Sequence, residues 1–252
     1  MTDTRIHTVD QLLDVLDRVV SASGRGDRSD ASAAEYWSGL LTTPGHPLAT
    51  QLPDEALVDW EQRGLLGELD GARVLDVGCG AGRNTRWFAG QGAIVDGIDL
   101  AEDLLDRLRP DMPGAVTLTT TDVLRDPLPE RAYDVVYDSG CFHHIAPHRR
   151  ITYLQRVLPL VRPGGRFGIV TFAAERMEAP SDLDVVATGD TYGGMAFSLD
   201  DLRTIFAGLT PIELRAVRAD PPDRADRADR PGTFAADFLN AALFTRPPTQ
   251  AA

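Results

Sequence analysis

The stretch from Arg73 to Asp99 constrains the fold of this chain more than any other. It reads RVLDVGCGAGRNTRWFAGQGAIVDGID: an apolar run, glycines at alternate positions, a helix-capable segment and a second apolar run. Alternate glycines permit a sharp turn and leave main-chain N–H groups open at the start of the helix. The pattern therefore predicts strand, glycine turn, helix and strand, the general form of a nucleotide-binding βαβ unit.

Two residues distinguish this glycine loop from a dinucleotide-binding loop. The fingerprint G-x-G-x-x-G requires a glycine at the position of Arg83. Asp76 ends the preceding strand and places a carboxylate where a pyrophosphate would be repelled. The chain also contains no lysine, which excludes the G-x-x-x-x-G-K-[ST] phosphate loop and the Tyr-x-x-x-Lys pair of short-chain dehydrogenases. An NAD-dependent dehydrogenase is therefore disfavoured.

Composition limits the kinds of partner and the cellular compartment that we expect for this protein. The chain has 252 residues and a formal net charge of −13, and such acidity disfavours nucleic-acid substrates. No apolar run approaches the ~20 residues of a membrane-spanning helix, and no secretory signal pattern is present. The only cysteines, Cys79 and Cys141, suit a reducing compartment. We therefore expect a cytoplasmic protein without nucleic-acid or membrane partners, whose oligomeric state the sequence leaves open.

Strand-like and helix-like segments alternate through the rest of the chain. Further strands are predicted at 116–120, 133–137, 166–172, 211–218 and 238–246. Helices are predicted at 101–109, 147–161 and 198–207. This alternation predicts right-handed crossovers and a parallel sheet covered on both faces, with the last two strands forming an antiparallel hairpin.

The first 70 residues are predicted to form a helical cap, joined in one structural unit to a domain spanning residues 71–252. Helices are expected at 9–20, 31–41 and 53–62, with a loop at 21–30. A capping box at Thr8 and Gln11 introduces the first helix. These helices either cover a sheet edge or bring Tyr36, Trp37 and His46 over the ligand end of the sheet.

Two later segments are predicted to be irregular. Residues 174–197 include the glycine-rich run 189–194 and form either a lid over the ligand end of the sheet or a surface loop. The repeat of Asp-Arg-Ala at 223–230 is self-neutralising and predicts a mobile hairpin loop.

The run VLDVGCGAG at residues 74–82 resembles the first motif of class I S-adenosylmethionine-dependent methyltransferases. Asp99 matches the acid that holds the ribose hydroxyls in this family, and Asp122 matches the acid that reads the adenine amino group. LVRPGGRF at 160–167 matches the turn before the fifth strand. The resemblance covers residues 71–173 and implies a Rossmann-like, doubly wound seven-stranded sheet, mostly parallel with an antiparallel C-terminal hairpin.

The resemblance further implies S-adenosyl-L-methionine as the cofactor and S-adenosyl-L-homocysteine as the product; from the residues themselves we expect no metal. The implied cofactor-binding residues are Asp76, Gly78, Cys79, Gly80, Gly82, Asn84, Asp99, Leu100, Asp122, Val123, Asp138 and Ser139. The residues themselves point the same way, because one of these aspartates lies at or just past the end of each of four successive strands. Ligands of open α/β sheets bind outside those ends, where carboxylates favour an ammonium and a sulfonium over phosphates.

The segment DSGCFHHIAPHRR, residues 138–150, carries the most distinctive chemistry. His143 and His144 follow the fourth strand and are candidate general bases, since imidazole can take a proton from a phenol, thiol or carboxylic acid. Alternatively, one histidine packs under the loop, the other is solvated, and positioning alone accelerates transfer. Cys141 and these histidines make a poor metal site. Residues 148–150 either contact an anion or form a solvated face.

The sequence therefore predicts methyl transfer from S-adenosylmethionine to an O, N or C nucleophile of a small molecule. Two alternatives stay open. One is a detoxifying enzyme that methylates thiols, halides or chalcogen compounds. The other is a protein that binds S-adenosylmethionine without catalysis.

Overall fold

A mixed β-sheet forms the centre of the structure, a computed structural model that describes residues 5–22, 33–191, 193–219 and 232–248. Its strands are β1 (Arg73–Val77), β2 (Ile94–Asp99), β3 (Val116–Thr120), β4 (Tyr133–Ser139), β5 (Val161–Ala173), β6 (Ala196–Phe197), β7 (Thr210–Ala216) and β8 (Leu239–Thr245). Their order is β3-β2-β1-β4-β5-β8-β7, with the short β6 paired to β5. All pairs are parallel except β5–β8 and β7–β8. The predicted doubly wound sheet with an antiparallel C-terminal hairpin is confirmed.

Helices cover both faces of this sheet. They are α1 (Val9–Ser21), α2 (Ala34–Leu41), α3 (Glu55–Gln62), α4 (Arg83–Gly90), α5 (Glu102–Leu108), α6 (Arg150–Val157), α7 (Asp182–Thr188) and α8 (Leu199–Ile205). The capping box predicted at Thr8 and Gln11 is present at the start of α1. No helix within the described ranges is long and apolar enough to cross a bilayer.

Two predicted segments differ from the structure. The single helix expected at 147–161 is instead a 3-10 turn, α6 and a second 3-10 turn, Leu158–Leu160. Pro159 lies in that second turn and has no N–H to continue an α-helix. The segment 174–197, expected to be irregular, contains α7 and β6. Ser181 and Asp184 form a capping box at the start of α7, a signal that the sequence already carried.

Successive residues of β1 enter different hydrophobic cores, as expected for a strand buried on both faces. Val74 packs in a cluster with Trp60 and Phe88, while Leu75 packs with Tyr153 on the other face. Trp60 belongs to α3 and is fully buried, so it anchors α3 to this face of the sheet.

Some predictions fall outside the described residues. They concern most of the loop at 21–30, the Asp-Arg-Ala repeat at 223–230, and Tyr192 in the glycine-rich run.

Candidate active site

A cavity of about 480 Å³ lies at the carboxyl ends of β1, β2 and β4. The predicted site residues that line it are Asp76, Gly78, Cys79, Gly80, Asn84, Asp99, Leu100, Asp122, Val123, Ser139, His143 and His144. The two predicted residues that do not line it are Gly82 and Asp138. The structure thus brings together residues from the ends of several strands, as the topology of an open α/β sheet requires.

The glycine loop depends on backbone conformations that other residues rarely adopt. Gly78, Gly80 and Gly82 have φ values of 66°, 51° and 73°. A Cβ on Gly78 would lie 2.5 Å from the Cβ of Cys141, so glycine lets the loops after β1 and β4 touch. Gly82 caps α4 in the left-handed region. Its role is to shape the loop from outside the cavity.

Asp76 places a deeply buried carboxylate in the cavity wall. Its side chain is 2% exposed, and Thr85 Oγ1 donates a hydrogen bond of 2.6 Å to Asp76 Oδ2. Burial raises the pKa of Asp76 to about 7. A cation bound beside this carboxyl group would favour its ionised form. Asp76 is therefore suited to an ammonium or sulfonium ligand.

Asp99 and Asp122 are held in place by main-chain donors. Asp99 accepts hydrogen bonds of 2.9 Å from the N–H groups of Gly80 and Ala101, and burial raises its pKa. Asp122 accepts a 2.8 Å hydrogen bond from the N–H of Leu124, and Arg125 Nη1 donates to its Oδ2 at 2.9 Å. Each carboxylate has about four acceptor positions, so both retain capacity for hydroxyl or amino donors of a ligand.

Asp138 was expected at the cofactor, but it lies beneath the loop instead. It is fully buried, and Tyr153 Oη donates a 2.7 Å hydrogen bond to Oδ2. The N–H groups of Cys141 and Phe142 donate to Oδ1 at 2.9 and 3.2 Å. Burial raises the pKa of Asp138 to about 6. Its position at a strand end was read correctly, but its carboxylate turns inward and supports the segment that carries the two histidines.

A buried network around Asp54 was missed by the sequence analysis. Arg83 pairs with Asp54 through Nη1, donates to Ser139 Oγ at 3.0 Å and lies 4.4 Å from the ring centroid of Phe234. Asp54 Oδ2 also accepts from Tyr137 Oη at 2.7 Å. The only signal in the sequence was that Arg83 breaks the glycine fingerprint. Asp54 carries no such signal, since an acid at the start of a helix is common.

Asn84 lines the cavity with its amide already engaged. Its Nδ2 donates to Asp54 Oδ2 at 3.0 Å, and its Oδ1 accepts from the N–H of Asp54 at 3.0 Å. Its predicted contact with a cofactor therefore competes with this pairing.

The two histidines form a hydrogen-bonded pair. His143 Nδ1 accepts from the N–H of Phe172 at 3.2 Å, and its Nε2 lies 3.1 Å from Nε2 of His144. Since Nδ1 accepts, neutral His143 carries its proton on Nε2 and donates it to His144. Burial lowers the pKa of His143 to about 3.

This geometry argues against His143 as a general base. An imidazole with so low a pKa is a weak proton acceptor near neutral pH. Of the alternative interpretation, the packed histidine describes His143, whereas the expected solvation of the other is wrong because His144 is also buried. His144 Nε2 accepts from His143, so this nitrogen is occupied in the arrangement seen here. Within the described ranges, no group of three or more His, Cys, Asp or Glu side chains is arranged to hold a metal.

Residues 148–150 are neither solvated nor directed at the cavity. Arg149 pairs with Asp14 and Asp17 of α1 at 2.9 and 2.5 Å, and His148 Nε2 lies 2.7 Å from Asp17. Burial alone would raise the pKa of Asp17, but hydrogen bonds from Arg149 and His148 lower it to about 2. The predicted anionic contact is thus made within the protein, where it fixes α1 to the domain.

The N-terminal segment contributes to the cavity wall. Tyr36, Trp37 and His46 all line the cavity, which agrees with the second of the two interpretations of these helices. Apolar lining residues that the sequence analysis missed are Leu40, Leu41, Leu48, Phe172, Met177, Phe234 and Phe238. They come from segments far apart in sequence, so no local pattern marks them.

Comparison with known proteins agrees with this architecture. Residues 74–165 match the sequence family described as "Methyltransferase domain". An uncharacterised methyltransferase of Mycobacterium tuberculosis (strain ATCC 25618 / H37Rv) is 36% identical over 118 residues, which are 47% of this chain and 44% of the relative. The 27-O-demethylrifamycin SV methyltransferase of Amycolatopsis mediterranei (strain S699) is 27% identical over 158 residues, 59% of this chain and 57% of the relative. The chain spans about half the length of these curated relatives.

A solved structure shares the fold over almost the whole chain. It is the Burkholderia thailandensis 1,6-didemethyltoxoflavin-N1-methyltransferase with bound 1,6-didemethyltoxoflavin and S-adenosylhomocysteine. The identity is 23% and the TM-score 0.54, over 98% of this chain and 93% of that chain. Residues 74–165 therefore belong to a methyltransferase domain, and the chain shares the fold of solved S-adenosylmethionine-dependent methyltransferases.

Proposed function

We propose that this protein transfers a methyl group from S-adenosylmethionine to a small-molecule acceptor. The observation that carries the proposal is a single cavity in which Asp76, Asp99 and Asp122 face the ligand space beside the glycine loop. Three carboxylates disfavour a phosphate-rich ligand. They suit one that carries an ammonium, a sulfonium, hydroxyl groups and an amino group.

The proposed roles follow from the type and place of each residue. Asp76 is assigned to the cationic methionine part, because its buried carboxyl group gains most from a cation. Asp99 is assigned to the ribose hydroxyls, and Asp122, beside Val123, to the adenine amino group. Arg83 supplies a guanidinium at the cavity wall that suits the carboxylate of the methionine part. Asp138 is left out of this set.

Bound S-adenosylmethionine supplies a methyl group activated by its sulfonium. The chain then has to hold an acceptor in line with that methyl, which alone can account for much of the acceleration. Apolar residues such as Trp37 and Phe172 exclude water from the approach. His144 lies in the wall beside that approach and orients the acceptor.

A small organic acceptor fits the size and lining of the cavity. Its volume, about 480 Å³, lies within the range of about 300–1,000 Å³ typical of small-molecule sites. The predominantly apolar lining gives little reason to favour a halide. Two proteins similar to this chain are named for methylating small molecules, a rifamycin precursor and a toxoflavin precursor. We further propose that residues 1–70 act as the cap of this site and residues 174–197 as its lid, since Met177 and Gly193 line the cavity.

The test is release of S-adenosylhomocysteine in the presence of a mixed acceptor panel. The panel contains phenols, amines and carboxylic acids on one side, and iodide and simple thiols on the other. We expect turnover with at least one organic acceptor of the first group. Turnover confined to iodide and thiols would replace the proposal by the detoxifying alternative. Tight cofactor binding with no turnover of any acceptor would favour a binding protein without catalysis.

A further inference from the structure

Six aromatic rings form a continuous wall along one side of the cavity. We call this wall the aromatic arc, and its members are Tyr36, Trp37, His144, His143, Phe172 and Phe238. Each ring contacts the next, with centroid separations of 5.1, 4.5, 4.3, 3.8 and 6.1 Å in that order. All six line the same cavity.

The middle of the arc is rigid. His143 stacks on Phe172 with an interplanar angle of 16°, and it accepts the N–H of Phe172. Its carbonyl oxygen accepts a 2.6 Å hydrogen bond from the N–H of Met195. A Cβ on Gly194 would lie 2.7 Å from Phe172 and 3.3 Å from His144, so a glycine keeps this backbone close to both rings. The rings are therefore positioned before any ligand arrives.

The two ends of the arc are open to a ligand. Tyr36 is 42% exposed and Phe238 is 40% exposed, while both histidines are buried. Their exposed surfaces meet the same cavity as the cofactor half, which we define as Asp76, Asp99 and Asp122 with the glycine loop. A planar ligand can enter beside these rings without displacing a packed core residue.

The arc and the cofactor half lie over different strands. The carboxylates lie at the ends of β1 and β2 and just past β3, whereas the arc comes from α2, the turn after β4, the end of β5 and the residue before β8. In the sheet order these two groups of strands lie on opposite sides of the boundary between β1 and β4. No arc member bears a carboxylate or a guanidinium.

We propose that the aromatic arc seats the methyl acceptor, and that this acceptor is a planar aromatic or heteroaromatic compound. This proposal rests on the proposed function and names its substrate class. Aromatic rings prefer offset-stacked or edge-to-face partners, a preference that goes beyond burial of apolar area. A fixed row of rings therefore selects a flat ligand over a puckered one of equal size. The wall also bears no carboxylate that would hold the acceptor's nucleophile by a hydrogen bond. The nucleophile can therefore face the sulfonium.

The test compares two probes that differ only in ring saturation, 2-naphthol and 2-decalol. Their affinities are measured by isothermal titration calorimetry on the full chain saturated with S-adenosylhomocysteine, which blocks the cofactor half. If apolar burial alone drove binding, the saturated alcohol would bind at least as well. We expect 2-naphthol to bind about tenfold more tightly, as one or two aromatic contacts provide.

Matched tryptophan variants test whether 2-naphthol binds at the aromatic arc. Trp37→Leu should weaken 2-naphthol about tenfold and leave 2-decalol within about twofold. Trp87→Leu is the control, because Trp87 packs on Phe88 and does not line the cavity. Circular dichroism checks that each variant is folded. If Trp37→Leu does not fold, Phe238→Leu tests the other end of the arc with the same two probes.

The binding results distinguish failure of the proposed acceptor class from failure of the proposed function. Equal or tighter binding of 2-decalol, or no binding of 2-naphthol, overturns the proposed acceptor class. Loss of 2-naphthol binding in Trp87→Leu as well as Trp37→Leu also overturns it. Failure of S-adenosylhomocysteine to bind overturns the proposed function instead, and the two probes then test the arc on the protein alone.

Discussion

The two halves of the cavity are assembled in different ways. The cofactor half comes from one stretch of chain, residues 76–122, and presents carboxylates and main-chain N–H groups at or just past strand ends. The aromatic arc comes from four separate places, at 36–37, 143–144, 172 and 238. Polar recognition here is encoded in local turns, whereas recognition by shape depends on how distant segments pack.

The halves also differ in their effect on the stability of the folded protein. Asp76 and Asp99 are buried carboxyl groups with raised pKa values, which means that their charged forms are destabilised until a ligand compensates them. The arc instead buries aromatic surface, which stabilises the folded state. We therefore expect substitutions of these carboxyl groups to lower cofactor affinity without lowering the stability of the ligand-free protein. Substitutions in the arc should instead change which acceptors bind.

The largest expected effect concerns the buried ion pair between Asp54 and Arg83, beside the cofactor half. Asp54→Ala removes the partner of the buried Arg83, which also contacts Phe234. Leaving one charge of a buried pair uncompensated lowers the free energy of unfolding by about 3–5 kcal/mol. Chemical denaturation measures this loss. The control is Asp103→Ala on the exposed face of α5, for which we expect a change within about 0.5 kcal/mol. Similar losses in both variants would contradict a special role for Asp54.

The next largest effect tests the cofactor half alone. Asp99→Ala should raise the Kd for S-adenosylhomocysteine about 100-fold, since two hydrogen bonds to a charged acceptor are lost. Asp96→Asn is the control on the same strand, because Asp96 bonds Tyr133 and does not line the cavity. Calorimetric titration measures both. An unchanged Kd in Asp99→Ala would remove this residue from the site.

Asp76→Asn should separate binding from stability. Cofactor affinity should fall about tenfold as a charge-assisted contact is lost. The folded-state pKa of Asp76 is raised to about 7, above the unfolded value, so native protein binds the extra proton and loses stability as the pH rises toward 7. Asparagine cannot ionise, so the Asp76→Asn variant does not lose stability in this way as the pH rises. We expect the Tm difference between variant and wild type, measured without ligand, to grow in favour of the variant between about pH 4 and 7 and to level off above that range.

Two outcomes would break this prediction. A Tm difference that stays constant with pH would mean that Asp76 does not titrate in this range. Reduced stability of Asp76→Asn at the higher pH would mean that the ionised carboxylate is already compensated without a ligand.

The smallest expected effect concerns the histidine pair. His143→Phe keeps the ring stack on Phe172 but removes two hydrogen bonds, one to His144 and one from the N–H of Phe172. We expect KM for the acceptor to rise about threefold, with kcat within about twofold of wild type, because the loss of these bonds loosens the positioning of His144. A fall in kcat of about 100-fold would instead identify His143 as a general base.

The sequence predicted the parts of the fold that local patterns encode. The strands around the glycine loop begin and end close to their predicted bounds, because apolar runs and glycines mark them directly. The helix expected at 147–161 was too long, since Pro159 interrupts it. Asp138 shows a second limit: a strand end is readable from sequence, but the direction in which its side chain turns depends on Tyr153, fifteen residues later.

Most residues that line the acceptor side of the cavity could not be predicted from the sequence. Phe234 reaches the site because its backbone pairs with the segment at Pro53, as the hydrogen bond from Phe234 N–H to Pro53 C=O shows. Phe172 looked like an ordinary strand residue. Apart from His143 and His144, only Tyr36, Trp37 and His46 were anticipated there, as one of two alternatives. Long-range pairing of this kind leaves no periodic signal in a single sequence.

The most direct test of the account is a comparison of two ligands on the wild-type protein. Equilibrium binding is measured for S-adenosylmethionine and for NAD under the same conditions. Because Asp76, Asp99 and Asp122 repel phosphates and attract cations, we expect S-adenosylmethionine to bind at least about 100-fold more tightly. Comparable affinities, or tighter binding of NAD, would contradict the assignment of the carboxylate half to a cationic cofactor.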